Sequence, residues 1–211
     1  MKFTKLSLIA AIAVSAITTS AIAEVEVSAN VSATNNYVWR GMTQSSNGAA
    51  VQGGVDLGIG GFYLGTWASN VDFGTGDTEV DGYAGYAGEV SGFSYDVGFI
   101  RYGYLDTPAG NFNEAYLGLG YDFGAASLEA TYSKGLDNAP DDIAVDASIP
   151  VMQDYALDLG WGDYDTYGSR YSVGLSKSFD KVDFSVAYGS FDSDSGTADE
   201  NNVIVSVGTS F

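Results

Sequence analysis

The chain alternates. From Val25 to Ala33, Val25, Val27, Ala29, Val31 and Ala33 are apolar, and Glu26, Ser28, Asn30 and Ser32 fall between them. A period of two sends successive side chains to opposite faces of an extended backbone, so this stretch is a strand with one apolar and one polar face. It is also long enough to cross a bilayer as a tilted strand. The pattern recurs at Val51–Leu57, Phe93–Phe99, Leu128–Tyr132, Ile143–Ile149, Tyr155–Trp161, Tyr171–Leu175, Val182–Tyr188 and Val203–Phe211. Weaker versions at 62–70 and 78–88, and one at 111–122, bring the expected strands to twelve.

The connections alternate as well. Tight ones are expected near 59–61, 89–91, 123–125, 150–153 and 179–181. Longer ones, rich in Asp and Gly, lie near 37–46, 71–77, 105–110, 135–140, 163–168 and 191–199. Long and short links in turn describe a row of hairpins with two different ends. Pro108, Pro140 and Pro150 all fall in these expected connections, where a missing N–H breaks no ladder.

Parity alone does not say which face is inside. A water-soluble barrel would bury the Val, Phe and Tyr face and expose the other, but that other face is mostly Gly, Ser, Ala and Asp rather than the Thr, Lys and Glu of a wetted sheet. Composition agrees: 28 of 211 residues are Gly, and 17% are charged, against ordinary shares of about 7% and ~25%. A transmembrane barrel reverses the arrangement, with apolar residues toward lipid and small polar ones lining the lumen. Closure removes the sheet edges that lipid cannot satisfy. The expected fold is therefore all-β, a closed antiparallel transmembrane barrel of about twelve strands. Its backbone radius would be roughly 12 Å, from the usual strand spacing and tilt.

The N-terminus sets the compartment. Lys2 and Lys5 form a basic segment, Leu6–Ala16 is apolar, and Ala21-Ile22-Ala23 offers small residues for cleavage before Glu24. Residues 1–23 read as a secretory signal peptide and 24–211 as the barrel domain. The chain has no Cys, which excludes disulfides and thiolate metal sites. A formal charge of −19 argues against a nucleic-acid partner.

With an even strand number and both termini periplasmic, the long connections face the cell exterior. Tyr37 and Trp39 share parity with Val25–Ala33, so they are expected outward at the upper membrane interface, a girdle that Trp161 extends. Trp67 is expected toward the lumen. Arg40 and Arg170 are expected at the pore mouth. Arg40 is either a constriction or solute-binding residue or a rim residue held by lipopolysaccharide or loop carboxylates; Gly41, read as the strand end, favours the rim.

The blocks NNYVWRGMTQSSN at 35–47 and GGFYLGTWASNVDFG at 60–74, followed by GFSYDVGFIRYGY at 92–104, resemble the TorF family of candidate porins. The resemblance implies an outer-membrane channel and brings no catalytic residues. Phe211, ending an alternating apolar strand, resembles the terminal assembly signal of bacterial outer-membrane proteins, which implies partnership with their assembly machinery.

The chain contains no His. Ser-His-Asp hydrolysis and imidazole metal sites are thus absent, and a non-enzymatic protein without cofactor or metal is expected. DSDSGTADE at 192–200 lacks the glycine spacing of a calcium loop and reads as a solvated loop with at most loose affinity for divalent cations. Glu129, Asp146 and Asp158 lie mid-strand with inward parity on consecutive segments, and Asp56 and Asp96 have the same parity. Together they form an expected acidic pore lining able to attract cations. The functional expectation is a porin-like outer-membrane channel for passive diffusion of small solutes, weakly preferring cations. The alternative is a plugged barrel with a structural or adhesive role.

Overall fold

A computed structural model describes residues 25–74, 76–152 and 154–211; the expected signal peptide lies outside them. The elements in chain order are β1 (Glu26–Thr34), β2 (Val38–Trp39), β3 (Met42–Thr43), β4 (Ala50–Ile59), β5 (Phe62–Asp72), β6 (Gly76–Val90) and β7 (Phe93–Tyr102). A short 3-10 turn (Pro108–Gly110) precedes β8 (Phe112–Asp122), β9 (Ser127–Gly135), β10 (Asp142–Met152), β11 (Tyr155–Tyr164), β12 (Gly168–Phe179), β13 (Val182–Ser193) and β14 (Glu200–Ser210). Twelve of the strands close into an antiparallel barrel in which each neighbours the next, with β1 joining β4 on one side and β14 on the other. The remaining two, β2 and β3, form a separate small hairpin.

Closure at the β1–β14 seam runs from Asn30↔Ser210 to Thr34↔Ser206. It is extended past the strand end by Phe211, whose N–H donates to the Ala29 carbonyl at 2.8 Å while the Ala29 N–H donates back at 3.2 Å. Each of the twelve barrel strands thus has two neighbours, and closure leaves the barrel no long unpaired edge. The tight turns obey the expected chemistry: Gly60 and Gly61, and Ser91 and Gly92, have positive φ, the two-residue turn whose twist matches that of the flanking strands.

The strand parity sorts side chains as the alternation requires. Val31, Val55, Leu64, Val97, Leu117, Val173, Val186 and Val205 are exposed on the outer surface. Phe62, Phe93, Phe123, Phe179 and Phe211 form an exposed aromatic belt at the short-turn end, and Phe73, Trp161, Tyr167, Tyr171 and Tyr188 a second toward the long-connection end. An apolar band between two aromatic girdles is the outer surface of a barrel in lipid.

Pro150 differs from expectation. It lies within β10, opposite Ala156, not in the connection, and the register shifts immediately after it. The ladder with β9 has already ended at Ser148↔Ser127, so its missing N–H interrupts nothing on that side.

The interior is unevenly filled. At the long-connection end Tyr37, Ala50 and Val71 pack with Trp39, Trp67 and Tyr104. Below them Tyr63, Tyr83 and Ile100 pack with Trp67, Tyr102 and Tyr116. The opposite lower wall carries small inward residues such as Ser148, Gly160, Gly174, Ser176 and Ser206.

Candidate functional site

The first long connection does not stay at the rim. After Thr34 the chain leaves the sheet, and β2 and β3 turn back on each other inside the barrel, pairing Val38↔Thr43 and Trp39↔Met42. The turn is Arg40-Gly41, with φ of 49° and 86°, the two-residue form in which both central residues are left-handed. Gly41 is needed twice over. A Cβ there would meet the Cβ atoms of Arg170 and Phe191 at 3.0 Å, closer than ordinary van der Waals contact, so the hairpin tip presses tightly against β12 and β13.

Arg40 crosses to the wall opposite its own strand. Its guanidinium makes a two-pronged pair with Glu114 on β8, Nη1 to Oε1 at 2.6 Å and Nη2 to Oε2 at 2.8 Å. Its Nε lies 3.4 Å from Asp142 on β10. Asp142 also takes a two-pronged pair from Arg170, at 2.6 and 2.9 Å. All four side chains are buried, so two guanidinium groups and two carboxylates neutralise one another away from water. The Arg40 guanidinium also lies 4.3 Å from the Trp39 ring centroid and 4.7 Å from that of Tyr164, a cation drawn to two aromatic rings at once.

Other bonds fix the hairpin's base. Asn36 donates to Asn202 at 2.9 Å, the Thr43 N–H donates to Glu200 at 2.8 Å, and the Asp72 N–H donates to the Gln44 carbonyl at 2.8 Å. Trp39 meets Tyr102 and Tyr164 edge-on, and Tyr37 meets Trp67 the same way.

Two expectations are thereby corrected. Tyr37 and Trp39 are not in an outer girdle: Tyr37 is 3% exposed and both rings lie in the lumen. Their parity was extrapolated from β1, but β1 ends at Thr34 and the chain turns inward before Tyr37. Arg40 and Arg170, expected at the pore mouth, are the centre of a buried ion cluster, and Arg40 is held by the strand carboxylates Glu114 and Asp142 rather than by lipopolysaccharide or loop carboxylates. Trp161 is half exposed on the outer face, and Trp67 faces the lumen.

The acids line the rest of the interior. Asp146 and Glu129 are direct cross-strand partners, which sets their Cβ atoms about 4.5–5.5 Å apart. Asp158 lies opposite Ser148 and accepts from it at 2.8 Å and from Ser176 at 2.7 Å. These three therefore share one wall, β9 to β11. Asp96, on β7 and separated from Glu129 by β8 alone, continues that wall, whereas Asp56 lies on β4 across the lumen; each takes a tyrosine hydroxyl, Tyr63 donating to Asp96 at 2.6 Å and Tyr83 to Asp56 at 2.5 Å. Tyr63 is also hydrogen bonded to Tyr116. Among the described residues the basic side chains on the inner face are Arg40 and Arg170, both already paired. At the rim, Lys134 donates to Asp141 at 2.8 Å and, with Tyr132, holds that carboxyl below the ordinary carboxylate range.

Sequence reasoning missed Glu114, Asp142, Glu79 and Asp81, all inward and buried. The hairpin itself left a signal: Val38-Trp39 and Met42-Thr43 flank Arg40-Gly41, strand formers around a two-residue turn.

A family model described as "Bacterial protein of unknown function (Gcw_chp)" matches residues 18–210. The chain belongs to this family. No curated protein matches it in sequence. Several solved structures share the fold. One, described as the KdgM porin in complex with disordered oligogalacturonate, is similar with a TM-score of 0.63 and 14% identity, over 88% of this chain and 98% of that one. The NanC porin is similar with a TM-score of 0.59 and 10% identity, over 86% and 98%. Outer membrane phospholipase A from Escherichia coli is similar with a TM-score of 0.55 and 12% identity, over 86% and 89%. At these identities the likeness concerns the twelve-stranded barrel alone. A Ser-His-Asp arrangement is closed to this chain, which has no His.

Proposed function

We propose that the protein is a narrow outer-membrane channel through which small solutes diffuse passively, with a preference for cations. The carrying observation is the charge of the lumen. Asp96, Glu129, Asp146 and Asp158 line one wall, Asp56 the other, and the two luminal arginines are consumed by Glu114 and Asp142. Inside a low-dielectric wall such fields add, drawing cations in and holding anions off. The barrel shared with two porins supports the channel reading, as does the outer surface for a membrane location. An anionic oligosaccharide of the kind held by one of those porins would meet no unpaired basic side chain on the inner face among the described residues. The resemblance of residues 35–47 and 60–74 to the TorF family points the same way. A bilayer, lipopolysaccharide at the long-connection rim and the outer-membrane assembly machinery are the partners this reading requires.

One observation favours a second reading. The buried hairpin fills the lumen beneath the long connections, as a plug in a structural or adhesive barrel would. Planar-bilayer recording separates the two. The channel reading expects the wild-type protein to conduct, with a reversal potential in a salt gradient showing cation preference, largest at low salt where the Debye length is about 30 Å. Changing Glu129→Gln, Asp146→Asn and Asp158→Asn together should reduce that preference. A wild-type barrel that stays silent, and conducts only once residues 36–47 are replaced by a short linker, would establish the plug instead.

A further inference from the structure

The lumen face of β6 carries two carboxylates that the hairpin lock and the acidic wall do not use. Glu79 and Asp81 are two residues apart on one strand face and are 1% and 4% exposed. They are close enough to act on each other electrostatically, and Tyr37 and Tyr104 lie beside them. No ion pair among the described residues includes either one. Asp81 accepts the Gly103 N–H at 3.3 Å. The Glu79 Oε2 atom is buried with no partner at all. Their neighbour Asp77 differs: the N–H groups of Thr78 and Asp106 and the Thr107 hydroxyl satisfy both its oxygens.

A buried carboxylate without a counter-charge is strongly disfavoured, and two together more so. The remedy used at Glu114 and Asp142, pairing with an arginine, is absent here among the described residues. We propose that Glu79 and Asp81 bind one hard divalent cation of the calcium class. Such an ion cancels both charges at once and occupies the orphaned oxygen of Glu79. Calcium accepts irregular oxygen shells of six to eight ligands, including water, whereas magnesium demands near-octahedral geometry and gives up its water reluctantly. Because Tyr37 belongs to the hairpin, the bound ion also ties the β6 wall to the inserted segment. The site holds whether or not the barrel conducts, and it is tested by binding, not by current.

The barrel is refolded in detergent, stripped with a chelator and titrated with calcium and then magnesium by calorimetry. One saturable calcium site is expected, with magnesium weaker. Glu79→Gln together with Asp81→Asn should weaken calcium at least tenfold while the barrel still shows its folded, heat-modifiable mobility. Asp194→Asn with Asp199→Asn, in the acidic loop after β13, should leave the site unchanged. Should the double amide fail to fold, Glu79→Gln alone must show the loss. No calcium binding by the wild type, which would mean the pair shares a proton instead, overturns the proposal. So does binding that survives the double amide or disappears in the loop variant.

Discussion

Removing the guanidinium of Arg40 should release the hairpin from the lumen. In Arg40→Ala, Glu114 is left 1% exposed with its principal partner gone, and Asp142 keeps only Arg170. Breaking one side of a buried pair costs about 3–5 kcal/mol, because a charge stays buried without compensation. The lost contacts with the Trp39 and Tyr164 rings add about 0.5–2 kcal/mol. Opening the hairpin relieves that strain by letting water reach Glu114, so most of the penalty should appear as hairpin opening, with the barrel intact. At 1.4 kcal/mol per decade, 3–5 kcal/mol raises the open population by about two to three and a half decades. The chain has no Cys, so Gln44→Cys, at a hairpin position only 8% exposed, provides a single thiol. Its rate of alkylation, compared with and without Arg40→Ala, reads the opening directly. Adding Glu114→Gln to Arg40→Ala should return part of the protection, since no unpaired charge is then buried. Equal alkylation rates in the two backgrounds would refute the idea that this ion cluster holds the hairpin in place.

Other consequences can be checked alongside. Gly41→Ala should also raise Gln44→Cys alkylation, since a left-handed Ala costs about 1–2 kcal/mol and its Cβ meets Arg170 and Phe191; unchanged protection would show the tip has room to spare. Val97→Arg, on the exposed apolar band, should lower folding yield in lipid vesicles at a cost of about 2–4 kcal/mol. Glu129→Arg, which points into the lumen, should not, and equal losses would reverse the assignment of faces. Deleting Phe211 removes the paired backbone bonds to Ala29 and should reduce the heat-modifiable barrel recovered from outer membranes; full recovery would deny the seam that role.

Much of the architecture is written locally. A strand of period two declares itself from its own side chains, because the pleat fixes their faces without reference to the rest of the chain. Val203 to Phe211, or Phe93 to Phe99, can be read that way, as can the turns at Gly60-Gly61 and Ser91-Gly92. The inward parity of Asp146 and Glu129 was equally legible. That they face each other directly was not, because register between strands depends on where each hairpin turns and how the ring closes. Pro150 shows the same limit at a smaller scale: a strand can keep a proline where one neighbour has already ended. The hairpin is the larger case. Parity carried forward from β1 assigned Tyr37 and Trp39 to lipid, yet parity has meaning only while the chain stays in the sheet. What draws the segment inward is a set of partners scattered along the sequence, Glu114, Asp142, Tyr164, Glu200 and Asn202, which become one surface only when the barrel has closed. The twelve barrel strands, the faces of their central residues and the tight turns follow from neighbours in the chain. The tertiary structure alone decided what fills the lumen, since a buried charge chooses its position by where its counter-charges stand in space.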